Sequence, residues 1–352
     1  GGLNLSSGTN LNGTWTETFT VPQFVEPGTW TIGQMTLVDN VGNYKYYYQS
    51  DLQALGYPTT LQVIDGISVA LASGTNPSTY NQSVTFTATV TSGTTTVATG
   101  TVNFLDGTTT IGSGTLNASG VATFTTTSAL SVGPHSMVAD YLGDANNPPE
   151  NSAALTQTVN PAASVVAVSS ATNPSTVMMP VTLTATVSGA FGGTPTGTVT
   201  LKAGAHTLGM ATLSNGVGSI AYAFPNAGTT SITATYSGDS NFVGGTSPAL
   251  IQVVKKAVTT GSVVSSLNPA IVGEQVTFTA TFNSSIGPPA DGEPVTFKDG
   301  AVTLATAKIK SGSAYFLTIK LSRGLHNIEA QYAGDAQRWA QTAGIVQEMK
   351  QR

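Results

Sequence analysis

The most constraining feature of this 352-residue sequence is that most of it is written three times. The heptapeptide VTFTATV at Val84–Val90 returns as VTLTATV at Val181–Val187 and as VTFTATF at Val276–Phe282, at offsets of 97 and 95 residues. An Asn-Pro pair stands upstream of each copy, at Asn76-Pro77, Asn173-Pro174 and Asn268-Pro269. Downstream, Gly100–Phe104 matches Gly197–Leu201 and, with one extra residue, Gly292–Phe297. Each copy closes on Tyr-x-Gly-Asp: Tyr141, Gly143 and Asp144; Tyr236, Gly238 and Asp239; Tyr332, Gly334 and Asp335. A solenoid repeats every roughly 20 to 50 residues, so this longer period means one domain per copy. The expected domains are 66–160, 161–255 and 256–352, with residues 1–65 left over.

Within a copy the apolar residues alternate. Val84, Phe86, Ala88 and Val90 share one face and Thr85, Thr87 and Thr89 the other, the period of a strand with one buried side. The same reading of residues 66–160 predicts seven strands, near 67–72, 84–90, 100–105, 109–116, 120–127, 134–141 and 153–159. Asp106-Gly107, Ser119-Gly120 and Gly143-Asp144 supply turns between them. Composition agrees: about one residue in six is Thr, Gly numbers 39, and only 8% of the chain is charged, which disfavours helices. With 40% hydrophobic residues and a net charge of only -5, the chain has enough apolar surface to fold. Seven short alternating strands in one repeat predict a two-sheet sandwich, and the fold class is all-β.

Asn-Pro followed by V-T-[FL]-T-A-T-[VF], G-T-V-x-F and Tyr-x-Gly-Asp resembles the bacterial Ig-like repeats of the group 3 type, over residues 66 to 352. The resemblance implies tandem immunoglobulin-like β-sandwiches in a bacterial secreted or cell-surface protein, acting as stalk, spacer or interaction module without catalytic residues. The linkers, Asp65-Gly66, Asn160-Pro161 and Lys255-Lys256, are short, so an extended rod is expected rather than loosely tethered beads.

Residues 1–65 are too few for a copy and match only the second half of one. Gly13–Phe19 resembles the fifth strand, Gly28–Asp39 the sixth, Asn40–Asn43 the turn and Tyr44–Tyr48 the seventh. An incomplete sandwich of this kind exposes an apolar face and unpaired edges. Three explanations stand side by side: the chain is a piece of a longer surface protein, another subunit completes the half-domain, or the segment folds alone as a small sheet against the next domain. Its aromatic residues, Trp15, Trp30, Tyr44, Tyr46, Tyr47 and Tyr48, are the candidate interface. Period two puts Tyr44, Tyr46 and Tyr48 on one face and Tyr47 on the other, so part of the set is expected to be core. Exposed members suit a glycan platform or a protein contact.

Charge is uneven. Residues 1–65 carry one Lys and five acids, net -4, and residues 66–160 carry four acids with no Lys or Arg. Residues 161–255 come to +1 and residues 256–352 to +2. An acidic front and a basic back suit head-to-tail self-association, though the last copy uses Thr342–Lys350 as its own final strand and offers no spare donor strand. Twelve basic residues in the whole chain leave no phosphate-binding patch, which excludes nucleic acid. No apolar run reaches the length of a membrane span, and Gly1-Gly2-Leu3 lacks the regions of a signal peptide.

Chemistry is sparse. There is no Cys, hence no disulfide or thiolate. His135 and His326 fall at matching places where the middle copy has Thr230, and His206 lies elsewhere, so the three form no triad or metal cluster. One Asp per Tyr-x-Gly-Asp turn is too few oxygens for Ca²⁺, and the expected role is structural, with Asp capping the turn and Gly at positive φ. No catalytic, cofactor or metal residue is assigned. The expected function is a non-catalytic extracellular structural protein, a surface stalk or filament subunit whose partners are itself or other surface proteins. The alternative is a glycan-binding or adhesin accessory region with the repeats as spacer.

Overall fold

A computed structural model describes residues 4–8, 13–16, 28–38, 41–63, 66–92, 98–127 and 129–352. Its regular structure is all strand apart from one short helix, Gln49–Ala54, among the described residues. The chain forms two compact units, one of residues up to 159 apart from Thr79–Asn81, the other of Thr79–Asn81 with 160–352.

In residues 66–160 the expected strands are present, and they divide into two sheets. The smaller runs Val121–Thr125, Thr85–Thr91, Ser68–Ser73, all antiparallel. The larger runs Thr109–Thr115, Thr101–Asp106, Gly133–Tyr141, Leu155–Asn160, Ser78–Thr79, with Glu150–Asn151 added to Gly133–Tyr141. Two strands were not anticipated, Ser78–Thr79 and Glu150–Asn151, each only two residues long. The first arises because the chain leaves the small sheet after Ser73, turns at the cis Asn76-Pro77 bond and joins the large one.

The alternation buries what it promised. Val84, Phe86, Ala88 and Val90 enter a core with Val102, Phe104, Met137, Ala139 and Tyr141 from the facing sheet. Burying a side chain of this size stabilises by roughly 1.5–3 kcal/mol, and Thr on the outer face suits a pleated, wet surface. Each copy carries a bulge at the same place, between Phe104 and Leu105, Leu201 and Lys202, Phe297 and Lys298.

The other copies repeat the plan. In 161–255, Ser164–Ser170, Pro180–Gly189 and Val217–Ala223 face Ser175–Thr176, Leu250–Lys255, Gly228–Tyr236, Thr198–Ala203 and His206–Thr212. In 256–352, Thr259–Ser265, Val276–Ser284 and Ser313–Thr318 face Ala270–Ile271, Gln341–Lys350, Gly324–Tyr332, Pro294–Asp299 and Val302–Lys308. The short strands Ser175–Thr176 and Ala270–Ile271 pair in parallel with the last strand of their copy. Only three residues separate Lys255 from Thr259. Gln337 Nε2 donates to Pro225 O across this junction at 3.1 Å, and Ile286 packs on the core of the preceding sandwich.

Residues 1–65 depart from the half-sandwich expected of them. Gly13–Thr16 pairs with Asn4–Gly8. The single strand expected over Gly28–Asp39 is two strands broken at Ile32-Gly33: Gly28–Thr31 pairs with Thr60–Val63, and Gln34–Val38 pairs with Tyr44–Tyr48. Phe19, Asp39 and Asn40 lie outside the described residues. The helix follows Tyr48 directly, where the Tyr48 amide donates to Asp51 Oδ2 at 2.9 Å. Among the described side chains of this segment only Leu52 and Thr59 are buried.

Candidate interface and the braces of each repeat

The aromatic residues of the first segment sit on these small sheets. Tyr44, Tyr46 and Tyr48 project from one face of the hairpin, opposite Val38, Thr36 and Gln34. Tyr44 is 64% exposed and Tyr48 56%, and the Tyr44 and Tyr46 rings meet edge to face with centroids 5.1 Å apart. Tyr47 lies on the other face, half-buried, with Lys45 Nζ 4.9 Å from its ring centre. Trp30 is exposed on Gly28–Thr31. Trp15 stands opposite Leu5, and its side chain is outside the described set. Part of this group is expected to be core; among the described side chains none is buried.

The Tyr-x-Gly-Asp turns are braces. Asp144 Oδ1 accepts the amides of Asn146 and Asn147 at 2.8 Å, and its Oδ2 accepts the amide and hydroxyl of Thr99 at 2.8 Å. Asp239 repeats this with Asn241, Phe242 and Thr196. Asp335 accepts the amides of Gln337 and Arg338, the Tyr332 hydroxyl at 2.9 Å and Arg338 Nη1 at 3.0 Å. Gly143, Gly238 and Gly334 have φ of 81°, 83° and 82°, and a Cβ on each would lie within 3.0 Å of backbone atoms across the turn. Backbone donors from Thr99 and Asn146 hold Asp144 far below the usual carboxylate range. Burial pushes Asp239 up, but the amides of Thr196, Asn241 and Phe242 outweigh it and leave its pKa at about 2. Every carboxylate oxygen is thus occupied by protein donors.

The tyrosine of each motif is core. Tyr141 donates to Thr99 O at 2.9 Å, whereas the buried Tyr236 hydroxyl has no hydrogen-bond partner. Burial and the nearby Asp239 carboxylate push that hydroxyl up to about 12.

A further brace escaped the sequence reading. The Asn of each Asn-Pro pair imitates a strand: Asn76 Nδ2 donates to Thr156 O at 2.7 Å while its Oδ1 accepts the Thr158 amide at 3.0 Å. Asn173 and Asn268 bond Ile251 with Val253 and Val346 with Glu348 in the same way. Beside them lie Gln157, Gln252 and Gln347, fully buried. Each donates to the carbonyl before its Asn, Thr75, Thr172 or Leu267. Ser73 and Ser265 donate to Gln157 and Gln347 Oε1 at 2.6 Å, whereas the buried Gln252 Oε1 has no hydrogen-bond partner. The signal was a Gln recurring every 95 residues at an inward position of the last strand.

His135 and His326 are structural. Each ring sits between a carboxylate and a carbonyl: His135 Nδ1 on Asp106 Oδ2 at 2.7 Å and Nε2 on Ser131 O at 2.8 Å, His326 on Asp299 and Ser322. Burial lowers both pKa values, but the carbonyl and carboxylate acceptors outweigh it and both are raised. Thr230 takes the matching position in the middle copy, facing Gln252 as the histidines face Gln157 and Gln347. His206 starts a different strand, opposite Ala203.

Among the described residues no group of three or more His, Cys, Asp or Glu could hold a metal ion, and no helix is long and apolar enough to cross a membrane. The bacterial Ig-like domain (group 3) model matches residues 71–160, 168–255 and 263–348. No curated protein matches the chain significantly. Among solved structures, a tetra-tandem repeat from the extending region of a large adhesion protein is 17% identical, covering 96% of this chain and 86% of that one, with a TM-score of 0.39. FdeC, an Escherichia coli adhesin, is 16% identical over 82% of this chain and 98% of its own, with a TM-score of 0.30. Invasin, a bacterial integrin-binding protein, is 14% identical over 80% of this chain and 60% of its own, with a TM-score of 0.42.

Proposed function

The chain belongs to the bacterial Ig-like domain (group 3) family, and from that premise we propose that it is a non-catalytic extracellular structural protein, a surface stalk or filament subunit whose repeats act as spacer. The observation that carries this reading is the division of labour along the chain. Three repeats commit their polar groups to internal braces, while the hairpin Gln34–Tyr48 presents Tyr44, Tyr46 and Tyr48 to solvent. Rings left uncovered on a two-stranded sheet are a contact surface in want of a partner. Head-to-tail association of copies through this surface gives a filament of the bacterial cell surface. Electron microscopy of the purified chain at rising concentration tests it: fibres with a regular axial repeat are expected, and isolated particles at every concentration refute self-assembly.

The second reading, a glycan-binding or adhesin accessory region, is favoured by the same exposure, since sugars stack on open aromatic faces. A glycan array distinguishes the two: binding lost in Tyr46→Ser supports it, and no binding to any glycan sinks it.

A further inference from the structure

The repeats serve as controls for one another, and one sheet face breaks their pattern. On the outer face of the small sheet, Thr87 lies between Ala72 and Thr123 in the first repeat, and Thr184 between Ser169 and Ser219 in the second. In the last repeat Thr279 lies between Val264 and Tyr315. One step along the edge strand, Thr125 and Ala221 are replaced by Leu317. Val264, Tyr315, Leu317 and the following Ile319 are each more than half exposed, an apolar patch where the other repeats carry small or polar residues. The patch runs along Ser313–Thr318, which is the edge of its sheet and has no strand on its outer side. Edges are normally blunted or covered. Exposed Lys310 and Lys320 stand just before and just after this strand.

We propose that this face of the last repeat is the docking site for the hairpin Gln34–Tyr48 of a second copy of the chain. The inference rests on the head-to-tail reading above and names its acceptor. Charge supports the choice: residues 1–65 carry net -4, with Asp51 exposed just beyond Tyr48, and residues 256–352 carry +2. Both surfaces are apolar and exposed and belong to segments of opposite net charge, so bringing them together removes Tyr44, Tyr46, Tyr315 and Leu317 from water.

Sedimentation velocity on the full chain, at rising concentration and at two salt concentrations, tests this with two variants. One is Tyr315→Thr with Leu317→Thr, which installs the residues of Thr123 and Thr125 and so keeps a face that already folds in the first repeat. The other is Tyr46→Ser. Self-association that weakens with salt and falls at least tenfold in both variants is the expected result. Association kept by the Tyr315/Leu317 variant but lost by Tyr46→Ser overturns this acceptor face and leaves head-to-tail assembly standing. Association lost by the first variant and kept by the second overturns the hairpin as occupant. A chain monomeric under every condition overturns the assembly reading itself.

Discussion

His135 Nδ1 lies 2.7 Å from Asp106 Oδ2, and the repeat that lacks the histidine lacks the aspartate too: Thr230 and Ala203 stand in their places. His326 and Asp299 restore the pair in the last repeat. Both ring nitrogens of His135 face acceptors, so only the doubly protonated ring donates to both.

The raised pKa values fix the sign of the pH effect. A group whose pKa is higher folded than unfolded contributes stability fully below its unfolded value, about 6.5, and loses it as pH rises through the folded value. Repeats 66–160 and 256–352 are therefore expected to lose stability as pH rises past that window. NMR titration should place the His135 and His326 midpoints above 6.5, and Asp106→Asn should lower that of His135 while leaving His326 unchanged. An unmoved His135 midpoint in that variant refutes the pairing.

The Tyr-x-Gly-Asp turn predicts an acid effect of opposite sign. Asp239 has its pKa depressed to about 2, so its contribution is present above the ordinary carboxylate range near 4 and lost as pH falls through 2. Removing it in Asp239→Ala orphans the amides of Asn241, Phe242 and Thr196 and should destabilise the middle repeat by about 2 kcal/mol at neutral pH. Urea unfolding followed at the repeat level checks this, and the difference between variant and parent should shrink at pH 2. Gly238→Ala should cost a comparable amount, about 2 kcal/mol, because φ is +83° and its Cβ would lie 2.8 Å from the Gly244 nitrogen.

Gln157 ties the last strand of its sandwich to the stretch Ser73–Ser78, where the chain passes from one sheet to the other. Its amide donates to Thr75 O and Ser78 Oγ and accepts from Ser73, all around the point where the chain changes sheets. Gln157→Ala removes these bonds, orphans the buried Ser78 hydroxyl and opens a cavity, a loss of about 3 kcal/mol. Thermal unfolding of the variant, with hydrogen exchange at Thr75–Thr79, should show the switch region opening first.

The three sandwiches were legible because their evidence is local: Thr alternating with Val, Phe or Ala states a strand and its buried face within seven residues. Ser78–Thr79 and Glu150–Asn151 carry no such signal, since a two-residue strand is defined by the backbone it lies against. The aromatic hairpin shows the complementary failure. Tyr44, Tyr46 and Tyr48 alternate as a buried strand does, and whether they are core depends on a covering sheet that no local pattern reports. Gln49–Ala54 is six residues long, under two turns, too short for a period of 3.6 to register. The Tyr-x-Gly-Asp turns were visible as a motif, but the Gln that braces each sheet switch was masked by the many other polar residues on outward positions.

Leu52 decides the stability of the first segment. Among the described side chains of residues 29–61 it is the one buried apolar residue, held on a helix whose start is capped by Asp51 and whose return is tied by Gln53 Nε2 to Thr59 Oγ1 at 3.1 Å. Isolated hairpins and helices of this length are marginal in water, so the segment depends on what little it buries. Leu52→Ala removes about 2–5 kcal/mol of packing, more than so small a structure holds in reserve. Hydrogen exchange should show protection lost across Gln34–Val63 while the three repeats keep theirs. Tyr46→Ser, by contrast, touches an exposed ring and should leave that protection within about 0.5 kcal/mol of the parent. Equal losses in both variants would mean that the aromatic face supports the fold rather than presenting a surface.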